Sequence, residues 1–596
     1  MDRKLRITLI IISFLITVGT AWKMQQLTQQ MGLWSYFPLS LFLFGWLMLV
    51  FIWEPRFSKH PQKLKLMGLA TLSGVLLALG FPPFPLTFVM FIAFVPLLMI
   101  EKAIADHQTG PAKWEVFCYS YHAFVLWNVL ATYWVANTAF VAGFVAMMLN
   151  SFFMTIPFVL FHQTKKMMNS RMAWFSFVAY WCSFEYIHLN WEISWPWLTL
   201  GNSFASFPSW VQWYEYTGVF GGTLWILLAN ILLFKTVNYY RENKSFDFTT
   251  VAKAAALILL PIAVSLMIYF NHEDKGRAIE VVVLQPNFEP HYEKFQEAEK
   301  TILKRFLDLS RSALTKETDY LVFPETSFGG VNVRNILTSN RPMREIKRMV
   351  DEYPDLKLIS GVGARKIYKP GEEFSPALRT HVRAPGDTIF WEAYNAAIQM
   401  TAGSNKADLY LKSKFVPGAE FLPYRDIFFF LKPLIDKLGG TLAGFGSQPQ
   451  RSVFESADGT AIAPVICYES IYGGYSSDYV KKGANAMFVV TNDGWWDNTA
   501  GHKQHLAYSS LLAIETRRSI ARSANTGISG FINQRGDLSS ATKYGEPAAV
   551  RGKIQLNEEI TFFVQWGDLI GRVSLFITIS LLLNTFVKGR IASRDM

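Results

Sequence analysis

The chain has 596 residues, 51% of them hydrophobic and 17% charged, with a formal net charge of +11. That length leaves room for more than one folding unit. The positive charge does not point to nucleic acid, because Lys and Arg gather in short loops between apolar runs rather than on one face or arm. The three cysteines, Cys118, Cys182 and Cys467, show neither metal-site spacing nor a disulfide framework.

From the N-terminus, apolar runs long enough for a bilayer, about 20 residues each, lie near 5–22, 34–53, 66–81, 86–100, 117–135, 140–161, 172–189, 212–234 and 251–270, with a last one near 569–587. The pair broken by Phe81-Pro82-Pro83-Phe84-Pro85 reads as a tight hairpin or a re-entrant segment. Arg3, Lys4 and Arg6 before the first run imitate a signal peptide, but Trp22, Lys23 and Met24 follow it. Without a small-residue cleavage site, an uncleaved first span is expected.

Loop charge sets the orientation. With a cytoplasmic N-terminus, the cytoplasmic loops carry Arg56, Lys59, Lys63 and Lys65, then Lys102 and Lys113, then Lys165, Lys166 and Arg171, then Lys235, Arg241 and Lys244. The opposite loops offer little beyond Lys23, as the positive-inside rule requires. Parity then puts the polar stretch after residue 270 on the extracytoplasmic side and returns the tail to the cytoplasm. The loop 190–210, with Trp191, Trp195, Trp197, Phe204, Phe207 and Trp210 and no Lys or Arg, reads as an interfacial aromatic belt or as a hydrophobic floor or lid beside a lipid-handling site. The expected organisation is a transmembrane helical domain over 1–270, an extracytoplasmic domain over 271–566, and a terminal span with a cytoplasmic tail over 567–596.

After Ile279 the pattern changes to short β-rich runs between amphipathic segments. Residues 279–285 suit a buried strand. Phe295, Ala298, Ile302, Phe306, Leu309 and Ala313 repeat at the three-and-four spacing of a helix with one buried face. Further strands are expected at 319–324, 358–362, 393–400, 408–412, 462–467 and 487–491, with helices around 343–350 and 502–517. This is a layered α/β domain.

Three strand ends carry reactive groups. Leu321-Val322-Phe323-Pro324-Glu325 puts a carboxylate behind a proline, well placed for a general base, though Pro-Glu at a strand end is usually just a turn. Lys412 and Lys414 in a β-rich run read as solvated side chains, yet Lys412 and Glu420 bracket a Val-Pro-Gly turn able to return the carboxylate toward the same site. Pro464-Val465-Ile466-Cys467-Tyr468-Glu469 ends a strand on a thiol. Such a turn exposes sulfur and aims the following backbone N–H groups at an oxyanion. A lone cysteine after a strand is more often inert core; the three groups together argue otherwise.

Together they resemble the Glu-Lys-Cys signature of the nitrilase superfamily, and the chain is similar to its membrane branch, the apolipoprotein N-acyltransferases. Leu77-Ala78-Leu79-Gly80-Phe81-Pro82-Pro83-Phe84, Ser194-Trp195-Pro196-Trp197, Gln285-Pro286-Asn287, Tyr394-Asn395, Ile466-Cys467-Tyr468-Glu469 and Thr491-Asn492-Asp493-Gly494-Trp495 match that family in order. The resemblance implies an α-helical transmembrane bundle plus an α/β nitrilase-like domain, an αββα layered sandwich, in the bacterial inner membrane with the catalytic domain on the periplasmic side. It implies Cys467, Glu325 and Lys412 as catalytic residues, Glu420, Tyr468 and Glu469 as supporting ones, and Trp495, Asn395, Tyr394 and Phe295 at the substrate. Phe295 stands where the family tends to show a lipid-covering Trp, and Pro417-Gly418-Ala419-Glu420 replaces its more usual Pro-Phe-Gly-Glu. The runs at 5–22 and 34–53 are additions to the family pattern.

The implied activity moves an acyl chain from a phospholipid, phosphatidylethanolamine in the first instance, through a Cys467 thioester to the α-amine of a diacylglyceryl-cysteine apolipoprotein. No metal and no organic cofactor is implied, and the partners are these two lipids and the bilayer. Two other readings stand beside it: a membrane-tethered nitrilase-type amidase with water as acceptor, and a non-enzymatic assembly protein with a dead nitrilase fold.

Overall fold

A computed structural model describes residues 2–107, 112–294, 296–384, 387–428 and 444–592. The chain divides into a helical unit (Met1–Phe270, Thr499–Gln504 and Asp568–Met596) and an α/β unit (Asn271–Asn498 and His505–Gly567).

In the helical unit the long helices run Arg3–Gln29, Phe37–Phe57, Lys63–Leu79, Val95–His107, Ala112–Thr132, Phe140–Met167, Ser170–Asn190, Val219–Asn243, Phe248–Asn271 and Leu569–Ala592. Among the described residues, 7 helical stretches are long and apolar enough by themselves to cross a membrane. Lys63–Leu79, Ala112–Thr132 and Ser170–Asn190 fall outside that set. The last two enclose Ser120, His122, Asn128, Thr132, Ser183 and Glu185, all buried. A helix surrounded by other helices tolerates such side chains when each finds a partner. Asn150 donates to Asn128 Oδ1 at 2.7 Å. Glu185 accepts from Trp181 Nε1, Leu200 N and Thr223 Oγ1 at 3.0, 2.8 and 2.7 Å.

The added N-terminal helices are tied into this unit. Glu54 pairs with Arg6 at 3.5 Å and Lys63 at 3.0 Å, and Trp46 Nε1 donates to His122 Nδ1 at 3.0 Å. The aromatic loop after Asn190 proves to be part of the core as well. Trp197, Leu198, Leu200 and Phe204 are buried, Trp197 edge-on to Trp134 at 4.6 Å and Phe204 stacked on Trp225 at 4.8 Å. Trp191, Trp195, Phe207 and Trp210 keep part of their surface.

The α/β unit has strands β1 (Ala278–Gln285), β2 (Tyr320–Asn332), β3 (Lys357–Ile367), β4 (Arg379–Ala384), β5 (Asp387–Thr401), β6 (Ala407–Leu411), β7 (Phe454–Glu455), β8 (Ala461–Ile466), β9 (Ala486–Thr491), β10 (Ile520–Ala524), β11 (Gly530–Ile532), β12 (Leu538–Ser539) and β13 (Ala548–Gln555). Among the described residues they form two sheets, ordered β13-β1-β2-β3-β5-β4 with β6 on β5, and β12-β11-β10-β9-β8-β7.

Strand alternation explains the layering. Ile279, Val281, Val283, Tyr320 and Val322 share one core with Ile462, Val465, Met487, Val489 and Ile520 of the other sheet. The intervening Val282, Leu284, Leu321 and Phe323 share a second core with Leu303 and Phe306 of the helix Glu299–Ala313 and with Met343, Ile346 and Met349 of Arg341–Asp351. Period-2 strands buried on both faces read as continuous apolar runs. Helices Gly473–Lys481 and Ala500–Thr516 contribute Tyr479, Val480, Leu512 and Ala513 to the first core. The helix expected from Phe295 starts at Glu299. Ala298 of that three-and-four pattern is the residue before the first helical turn.

Candidate active site

The site begins with an irregularity in β2. Its pairing with β3 jumps from Phe323↔Ser360 to Phe328↔Val362, so the segment around Pro324-Glu325-Thr326-Ser327 bulges out of register. A proline inside a central strand is tolerated at such a bulge. Gly361 on β3 makes room for it, since a Cβ there would lie 2.5 Å from Glu325 Cα and 2.7 Å from Pro324 O. Thr326 takes φ +49°, a left-handed conformation costly for a β-branched residue. Lys294, itself buried, holds the turn by donating to Glu325 O and Thr326 Oγ1, both at 3.0 Å. Burial lowers the Lys294 ammonium to about 8 despite the neighbouring Glu325 carboxylate.

Glu325 Oε1 accepts from Asn395 Nδ2 at 2.7 Å and Lys412 Nζ at 3.2 Å. Lys412 also donates to Glu420 Oε1 at 2.8 Å, to which Asn395 Nδ2 donates at 3.2 Å. Glu420 is oriented through Oε2, which accepts from Val416 N at 2.8 Å. β6 ends at Leu411, and Lys412 N still donates to Asn395 O at 2.9 Å. One ammonium, 1% exposed in its side chain, thus sits between two carboxylates. Burial works against its charge, but Glu325 and Glu420 outweigh burial and hold it well above the ordinary lysine range. Removing either partner would leave a buried charge short of compensation.

Cys467 follows β8 directly and opens the short turn Cys467–Ile471. Its φ is +48°, the strained geometry of a nucleophile elbow, and the residue is 7% exposed. Burial and the Glu325 carboxylate push the thiol up, and Lys412 opposes them. The same charges bear on Lys412 from the other side, so the three groups form one electrostatic unit. Burial and Glu325 prevail over Lys412, and the resting sulfur keeps its proton. A base beside it is then needed to release the thiolate as it attacks.

Comparison with known proteins gives the family. Residues 73–232 match the apolipoprotein N-acyltransferase N-terminal domain, and residues 281–558 match the carbon-nitrogen hydrolase family. The apolipoprotein N-acyltransferase of Chlorobaculum tepidum is 30% identical over 88% of this chain and 97% of its own length. The chain belongs to the apolipoprotein N-acyltransferase family. The enzyme of that name from Geobacter metallireducens is 26% identical over 86% of this chain and 94% of its own. Among solved structures, Saccharomyces cerevisiae Nit3, a member of branch 10 of the nitrilase superfamily, aligns at 13% identity over 50% of this chain and 97% of that one, with a TM-score of 0.34. As a member of the N-acyltransferase family, the chain is a multi-pass bacterial membrane protein with a catalytic domain of nitrilase type.

The remaining residues singled out in the sequence take various places. Glu469 is fully buried. Its Oε1 accepts from Tyr410 OH, Tyr475 OH and Ser413 N at 2.7, 2.8 and 2.9 Å, and its Oε2 from Ile466 N at 2.9 Å. It therefore ties the segment after Lys412 to the strand before Cys467. Tyr468 is buried edge-on to Tyr472 at 5.2 Å. Asn395 lies among the charged groups as a spacer between carboxylates. Tyr394, its neighbour on β5, faces the other way and donates to Glu392 Oε2 at 2.7 Å. Trp495 packs edge-on against His291 at 5.1 Å. Phe295 lies outside the described residues.

Sequence reasoning passed over Lys294, His505 and Arg522, and gave Asp493 no role. Arg522 carried a signal, because a charge in the middle of the buried strand Ile520–Ala524 demands a partner. Arg522 is 0% exposed and donates to Asp493 Oδ2 at 2.6 Å.

Proposed function

We propose that the protein transfers an acyl chain from a phospholipid to the α-amine of a diacylglyceryl-cysteine apolipoprotein, through a thioester on Cys467. The observation that carries this reading is the buried grouping of Glu325, Lys412 and Cys467 in a member of the N-acyltransferase family. Glu325 takes the proton from Cys467 Sγ as sulfur attacks the ester carbonyl. Lys412 and the Tyr468 N–H stabilise the oxyanion, each such donor being worth about 3 kcal/mol. The tetrahedral intermediate collapses with cleavage of the ester C–O bond. The leaving glyceryl oxygen takes the proton back from Glu325, and lysophospholipid departs.

In the second half the lipoprotein amine attacks the thioester and gives a proton to Glu325. The C–N bond forms, the C–S bond breaks, and the proton returns to Cys467. Glu420 and Asn395 keep Lys412 and Glu325 oriented, while Trp495 and Phe295 are assigned to the substrate. The loop charges support an inner-membrane topology with the catalytic domain on the periplasmic side, where lipid-anchored donor and acceptor arrive by lateral diffusion. Phosphatidylethanolamine is the donor proposed.

Intact mass spectrometry of the purified protein after exposure to phosphatidylethanolamine tests this. An added acyl mass removable by hydroxylamine, absent from C467A, is expected, followed by N-acylation of an added lipopeptide. An unmodified wild-type protein sinks the thioester. Free fatty acid without N-acyl peptide turns the assignment to a hydrolase.

A further inference from the structure

Behind the nucleophile lies a buried cluster that the mechanism above leaves unused. Asp493, His505 and Arg522 are each 0% exposed. Arg522 holds Asp493 Oδ2 at 2.6 Å, and Thr491 Oγ1 donates to Asp493 Oδ1 at 2.8 Å. Arg522, with help from His505, keeps this carboxyl well below the usual range in spite of its burial. His505 Nδ1 faces an acceptor, Asp493 Oδ1 at 2.8 Å, and a donor, Arg522 at 3.0 Å. It is therefore partnered with or without a proton, and the ring is anchored in either state. The opposite nitrogen, Nε2, lies 3.1 Å from the carbonyl oxygen of Cys467 and 2.9 Å from Ser470 Oγ. Ser470 Oγ donates to that same carbonyl at 2.8 Å.

That carbonyl belongs to the peptide unit whose N–H is Tyr468's. A carbonyl that accepts two hydrogen bonds draws electron density from its own N–H and makes it a stronger donor. The clamp also holds Cys467 at its φ of +48°, a conformation that the chain would otherwise relax. Without the clamp, the Tyr468 N–H and the sulfur would both lose their aim, and placement errors of that kind are costly in rate.

We propose that His505, anchored by Asp493 and Arg522, is a positioning residue that acts with Ser470 on the Cys467 carbonyl to fix the nucleophile elbow and strengthen the Tyr468 N–H as oxyanion donor. The role rests on the acyl-transfer reading above. His505 donates through Nε2–H and does not touch the substrate. Its contribution therefore belongs to the acylation step and not to phospholipid affinity.

Single-turnover acylation of the full-length protein by phosphatidylethanolamine in nanodiscs, followed by intact mass, tests the assignment with H505A, H505N, H505Q and S470A. H505A and S470A are expected to slow adduct formation by about 10- to 100-fold, with the phospholipid concentration for half-maximal rate unchanged. H505Q, whose amide N–H reaches the place of Nε2, restores most of the rate, and the shorter H505N does not. The proposal is overturned if H505A acylates like wild type, or if H505Q is as slow as H505A while S470A is unaffected. Should the His505 variants fail to fold, S470A decides alone, and a wild-type rate there overturns the clamp. A wild-type protein that never gains an acyl mass brings down the thioester reading and this role with it, an outcome distinct from slow variants of an acylating enzyme.

Discussion

Glu325 owes its position to a residue that carries no chemistry. Gly361 leaves the space into which the β2 bulge folds, and a methyl group there would collide with Glu325 Cα, Pro324 O and Thr326 N at 2.5–2.9 Å. These are backbone atoms, so relief requires the bulge itself to move. G361A is expected to cost about 1–3 kcal/mol of stability and to lower acylation by a larger factor, on the order of 100-fold, since a base displaced by an ångström loses its line to the thiol. Thermal unfolding beside single-turnover acylation would check this; a variant destabilised but fully active would contradict it. Gly361 stood in the predicted strand 358–362, yet its neighbour across β2 becomes visible only once the two strands are paired.

At the scale of elements, the connection between β1 and the helix Glu299–Ala313 does more than join them. It delivers Lys294 beneath the β2 turn, where burial lowers the ammonium from an ordinary 10.5 to about 8. Between these two values the unfolded chain holds a proton that the folded chain has released, so stability rises with pH across that window. Below about pH 8 the penalty of the buried charge is fully present, on the order of 3 kcal/mol. The melting temperature of the wild-type protein is expected to gain on that of K294M between pH 8 and 10.5. Parallel curves for the two proteins across that range would refute the effect. The three-and-four apolar spacing identified the neighbouring helix, and strand alternation identified the two faces of β1 and β2. Nothing in those patterns foretold that a lysine between them would turn inward, because its reward is a pair of oxygens supplied by a distant strand.

For the whole molecule, the charge asymmetry of the loops leads to the proposed orientation, with the catalytic domain outside and both termini inside. The added helices at Arg3–Gln29 and Phe37–Phe57 come as a pair and leave parity intact. Single cysteines placed in a background lacking Cys118, Cys182 and Cys467 report this with a membrane-impermeant maleimide. Substitution at Lys59 or Lys166 is expected to stay unlabelled in spheroplasts, and substitution at exposed Lys300 to label. The reverse pattern would invert the topology.

Membrane character and the change to an α/β domain after residue 270 were readable from the chain, because periodicity and loop charge are local properties; Glu325, Lys412, Glu420 and Cys467 were singled out only by strand-end motifs taken together with a family resemblance. Tertiary structure alone decided that Asn395 stands between two carboxylates, that Glu469 knots the Lys412 and Cys467 segments together, and that the tryptophan-rich loop supplies core packing. It likewise brought His505 to the carbonyl of Cys467, 38 positions away in sequence. Hydrogen bonds between residues remote in sequence depend on which strands become neighbours, and strand order is set by the burial of whole sheets rather than by any short stretch of chain.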